Sequence, residues 1–249
     1  MFYLVCVGLL AFSLSAFRDP LSFGVLTWTP GHVYTTHRVH HVALGAVFGL
    51  FVLGLAAQLY RPRARVGWLQ TSLLVFGLLA VVQAIVAGVG EAAGLLLFLG
   101  PAIVIGLLHP ERGALVPSLP RREDLDPRVL GVALVGAVPL AIFAATQVDL
   151  QLTAADSHAN FGHYAMMATA SLFVAVAAVL GSLTSTGWRT LVYAAAVVAI
   201  LAGVMTVRYP GPEQGVGVGI LGGLDAVVWG LAFVSVAAYA DVQRGARSE

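Results

Sequence analysis

The sequence predicts an all-α integral membrane protein: eight transmembrane helices arranged as two parallel-repeat four-helix halves. Three observations carry this. Of the 249 residues, 59% are hydrophobic and only 10% charged, where a soluble domain carries about a quarter charged. The apolar residues gather in runs of helix-spanning length, not in the roughly ten-residue alternation of barrel strands. Finally, one pattern of histidines, turns and tryptophans occurs twice.

Eight apolar segments can be drawn, at 2–17, 40–60, 67–88, 92–108, 129–147, 161–184, 189–207 and 217–240. Most match the roughly 17–25 residues that cross a hydrocarbon core. Segment 2–17 lacks the basic leader region of a secretory signal and reads as a short first transmembrane helix. The connections alternate in charge. Arg61, Arg63 and Arg65 follow the second segment, four arginines lie in 109–128, Arg189 sits by the turn between the sixth and seventh segments, and Arg244 and Arg247 end the chain. The intervening loops are poorer in arginine. By the positive-inside rule, both termini and the Arg-rich turns are expected on the cytoplasmic side of the cytoplasmic membrane, with the other loops outside.

The repeat runs from histidine to tryptophan. From His41 the chain passes through an apolar segment to the turn Gly67-Trp68, and from His163 through another to Gly187-Trp188. Four segments, an even number, separate the equivalent elements, so the copies share orientation and an axis along the membrane normal is expected. The first half is then 1–108, the Pro- and Arg-rich link 109–128, and the second half 129–249.

The candidate site is the stretch His37 to His41, in which His37, His40 and His41 stand where the second segment opens; His158 and His163 stand in the same relation to the sixth. His37 and His41 are four apart and share a helical face. The repeat makes His41 and His163 equivalents that can face each other across the bundle axis. Neutral imidazole suits copper, iron and zinc, and two axial histidines from facing helices suit a b-type haem. Arg38 is the expected partner of a haem propionate, and Gly45 and Gly49 would admit a flat macrocycle. Against this stands an interfacial belt, in which His, Tyr34, Tyr164 and Trp28 are anchors only. His32 reads as a loop residue and His109 as a helix-terminal one at the opposite end.

Few other polar residues interrupt the segments. Asp225, in the eighth, and Gln83, in the third, are candidates for a path beneath the histidines, since an intramembrane carboxylate is a functional hypothesis by default. Met166 and Met167 follow His163 by one turn and read as packing. Other chemistry is excluded. All 13 basic residues are Arg, so no lysine can form a Schiff base, and the single Cys6 can form no intrachain disulfide. The net charge of +1 does not suggest nucleic acid as a partner.

The spacing in HRVHH resembles the histidine boxes of membrane desaturases, which carry several boxes on the cytosolic side. The stretch from His41, HVALGAVFGL, resembles the H-x3-G-x3-G-L pattern of haem A synthases, which are built of two four-helix halves with outer histidines. His163 occupies the corresponding place in the second half. The resemblance implies His41 and His163 as haem ligands. It departs at the fourth and eighth helices, which carry no histidine here, and at Thr36, where an acidic residue is expected.

The expected function is a membrane protein holding a haem or a metal ion (Cu, Fe or Zn) in this cluster, for electron transfer or cofactor handling, alone or with other membrane redox subunits. His41 and His163 are the expected primary ligands. The alternatives are a transporter or metal-uptake protein using Asp225, and a non-catalytic subunit of a larger complex. No residue is assigned a catalytic role.

Overall fold

The computed structural model describes residues 1–116, 125–183 and 187–247; the middle of the link, 117–124, with Arg121 and Arg122, lies outside them. The described residues hold helices and short turns with no strand. The helices are α1 (Phe2–Ala16), α2 (Arg18–Leu26), α3 (Arg38–Ala57), α4 (Val66–Val86), α5 (Val89–Ala93), α6 (Leu96–Leu108), α7 (Pro127–Thr153), α8 (Ser157–Asn160), α9 (His163–Ser182), α10 (Trp188–Arg208) and α11 (Gly219–Arg247).

Six helical stretches, built on α3, α4, α7, α9, α10 and α11, are long and apolar enough to cross a membrane, and the α1–α2 pair makes up to seven if counted as one span. The chain is thus an all-α membrane protein. The count of eight meets two local departures. Segment 92–108 yields only the 13-residue α6, about 20 Å of helix at 1.5 Å per residue against a core near 30 Å. The first segment continues past 17 into α2 after a bend of 62°. Pro20 explains the bend: it has no N–H for the Ala16 carbonyl, and its ring crowds that carbonyl. The bend also buries Phe17 among Phe48, Phe51, Phe76 and Phe98.

The core is a four-helix cluster of α3, α4, α9 and α10, in which α3 and α4 both pack on α9 and α10. The remaining helices flank it. α2 packs on α3, and α1 bridges α3 and α6. On the other side α7 packs on α9, and α11 bridges α10 and α7. Small residues allow the closest approaches, as lipid-embedded packing requires. A Cβ on Gly24 would lie 2.6 Å from Gly45 Cα, and one on Gly67 would lie 2.8 Å from Gly187 Cα. The two Gly-Trp turns therefore touch. Every described histidine except His109 lies at the other end of this cluster.

Candidate functional site

Six side chains converge at the histidine end, placed by four pieces of backbone. A turn of 3-10 helix, Thr35–His37, leads into α3 and delivers His37, His40 and His41 within the first turn and a half. Gly162, with φ +69°, starts α9 at His163; the left-handed conformation costs glycine nothing. The short α8 carries His158, capped by Asp156, whose carboxylate accepts from the Ala159 N–H at 2.9 Å. The last is His32, brought back from the α2–α3 loop.

The rings pair through nitrogen. His32 Nε2 lies 2.8 Å from His41 Nδ1, and His163 Nδ1 lies 3.0 Å from His37 Nδ1; in each pair one neutral ring donates and the other accepts. His158 donates through Nε2 to the Thr36 carbonyl at 3.1 Å, and its Nδ1 is 3.6 Å from Asp156 Oδ2. That carboxylate also accepts from the Tyr164 hydroxyl at 2.8 Å. His40 differs from all of these. It is 0% exposed, its ring centroid lies 4.8 Å from that of His158 and 5.4 Å from that of His163, and neither of its nitrogens has a hydrogen-bond partner.

Two neighbours close the site. A Cβ on Gly215, which has φ +68°, would stand 3.2 Å from ring atoms of both His158 and His40. The adjacent Gln214 donates to the Thr35 carbonyl at 2.8 Å and accepts from the Val39 N–H. Arg38 holds the other side. Its guanidinium donates to the carbonyls of Thr27, Thr29, Pro30 and His32 and lies 4.9 Å over the Tyr209 ring. It is thereby the anchor of the loop that carries His32.

The electrostatics outside the spans favour a neutral His32 ring and a charged Asp156 carboxylate. Burial, and then the Arg38 guanidinium, push His32 below its ordinary value. Burial pushes the Asp156 carboxyl up, but the Ala159 N–H, the Tyr164 hydroxyl and His158 outweigh it and hold it below the usual range.

The structure thus brings together His37, His40, His41, His158 and His163, as the sequence predicts. It adds His32, expected only as a loop residue, and the backbone of Gly215. His41 and His163 do face one another, with ring centroids 5.3 Å apart, but the His37 ring packs against both, at 6.1 and 4.6 Å. Gly45 and Gly49 face Gly24 and Leu21 of α2, so α2 takes the place expected for a macrocycle, and Arg38 is spent on backbone carbonyls instead of a propionate. Among the described residues, no three His, Cys, Asp or Glu side chains already converge as a metal-ligand set. Asp225 lies on the exposed side of α11 and Gln83 is half-buried on α4. Gln147 of α7, which no pattern in the sequence marks, is fully buried with both amide atoms unpartnered. The chain matches no known protein family, no curated protein and no solved structure.

Proposed function

We propose that this membrane protein holds one first-row transition-metal ion in its histidine cluster, for electron transfer or for handling the metal as a cofactor. The observation that carries the reading is His40. A buried imidazole with neither nitrogen satisfied costs on the order of 1–3 kcal/mol, and native structures rarely leave such a group without a reason. A metal ion supplies the missing partner. Tetrahedral sites hold imidazole nitrogens about 2.0–2.1 Å from the ion and hence about 3.3 Å from each other. The 3.0 Å between the Nδ1 atoms of His37 and His163 is already close to that edge, and the His40 ring centroid lies 5.4 Å from that of His163.

His40, His163 and His37 are the ligands in this reading. His41 and His158 complete the set or orient it, with Asp156 and His32 behind them, since ligating histidines are held by a second hydrogen bond. The all-nitrogen donors suit Cu, Fe or Zn. The packing of His37 and of α2 favours a bare ion over a haem.

The finer architecture belongs to the same proposal. We read the chain as two parallel halves, α1–α6 and α7–α11, joined by 109–128. Support comes from the like arrangement of flanking helices and from equivalent residues meeting at both ends of the core, Gly67 with Gly187 and His41 with His163. Arginine placement then puts the histidine end outside and both termini in the cytoplasm.

The test is metal analysis of detergent-purified protein, with absorption spectra oxidised and reduced. About one Cu, Fe or Zn per chain without a Soret band is expected. A Soret band that shifts on reduction replaces the ion by a haem, and protein that neither contains nor takes up metal sinks the proposal.

A further inference from the structure

The outer face of α11 carries a carboxylate where lipid is expected. α11 packs on α10 through Gly223 against Gly203 and through Gly230 against Ile200. It packs on α7 through Trp229, whose Nε1 donates to the Val132 carbonyl at 2.8 Å. On the opposite side Asp225, Val228, Ala232, Ser235 and Tyr239 are all exposed, at alternating intervals of three and four residues, the spacing of a helix–helix seam. Asp225 makes no hydrogen bond or ion pair with any described residue.

Its position in the helix matters. Asp225 is six residues into α11, about 9 Å from the end, and has apolar turns on both sides, Ile220 and Leu221 before it and Val227 and Val228 after. Asp149 of α7, also exposed, differs: Gln151 and Thr153 follow it, so it sits in the polar end of its helix. Ionisable side chains within spans almost always face protein, and small or hydroxylic residues such as Ala232 and Ser235 mark helix contacts in lipid. A stripe of this composition is made to be covered.

We infer that a transmembrane helix of a partner protein, bearing a Lys or Arg at the depth of Asp225, docks along this face. Charge selects that occupant. This chain has no Lys, and α11 holds no Arg before Arg244, so a second copy pairing through the same face brings Asp225 against Asp225 with no cation on that face to offset it. The inference is independent of the histidine site.

A photo-activatable amino acid at Val228, with a control at Ile142 on the exposed face of α7, tests it in membranes of the native host. A cross-link at Val228 and not at Ile142, to a protein whose transmembrane segment contains Lys or Arg, is expected. Asp225→Asn then lowers its yield about tenfold or more, and Asp225→Arg combined with the partner's basic residue changed to Asp restores it. Cross-linking only to lipid or to a second copy overturns the proposal, as does a partner whose yield ignores Asp225→Asn.

Discussion

His109 and His40 are the same residue type, equally buried at 2% and 0% exposure, at opposite ends of the molecule. His109 is complete. Its Nε2 lies 3.2 Å from both Gln58 Oε1 and the Pro62 carbonyl, and its Nδ1 accepts from the Glu111 N–H at 3.0 Å. It ties the α3–α4 turn to the end of α6, with Phe2 of α1 packed edge-on against its ring. His40 packs against the rings of His158 and His163 and has no partner. Burial does not distinguish a structural histidine from a functional one; the state of its two nitrogens does.

The largest expected effect comes from breaking this contrast at His40. His40→Leu removes an orphaned polar group and a ligand together, so metal content falls below a tenth of the wild-type value. The metal-free variant is at least as stable as the metal-free wild type, because no hydrogen bond is lost. A marked loss of metal-free stability in denaturant titrations makes His40 structural after all. His109→Ala is the mirror experiment. It strands Gln58 and the Pro62 carbonyl and costs about 2–3 kcal/mol, while metal content stays at one ion per chain.

Gly215 gives a smaller, sharper test. Gly215→Ala puts a Cβ against both His158 and His40 at a backbone angle that disfavours any side chain, for a cost of about 1–2 kcal/mol. Metal uptake weakens with it, whereas Gly77→Ala, on α4 with open space at the added Cβ, leaves uptake unchanged. The smallest effect is that of pH. Burial holds His109 below its ordinary value of 6.5, more strongly than its hydrogen bonds to Pro62 and Glu111 raise it, and His32 is shifted the same way. Above about 6.5 the folded and unfolded chains are alike at these rings. As pH falls below that, the unfolded chain takes up protons first, so stability declines towards the folded-state values. The metal-free melting temperature is therefore lower at pH 5.5 than at 7.5, with a shallower fall in His109→Ala.

Much of the architecture was legible. Segments 40–60, 67–88, 129–147, 161–184, 189–207 and 217–240 return as α3, α4, α7, α9, α10 and α11, shifted by a few residues at most ends and extended furthest in α7 and α11, because run length and apolarity are local properties that lipid selects directly. The five site histidines were legible through the pattern about His41 and His163. His32 was not. Its place beside His41, nine residues on, depends on the loop through Pro30 and Gly31 that precedes it, whose path is held by Arg38 binding four carbonyls. Nor was Gly215 legible, since only folding carries the α10–α11 loop over rings that lie more than fifty residues earlier in the chain.

The sequence by itself determined a membrane-spanning helical chain, the ends at which its charges and histidines fall, and the repeated Gly-Trp turns, because these follow from composition and period along one dimension. Tertiary structure alone decided which histidines pair and which is left unpartnered. It also decided that α2 fills the face of α3 beside His41, and that Asp225 faces outward. Those outcomes depend on how helices rotate and approach one another, and close packing of small residues across the core settles that only once the helices are assembled.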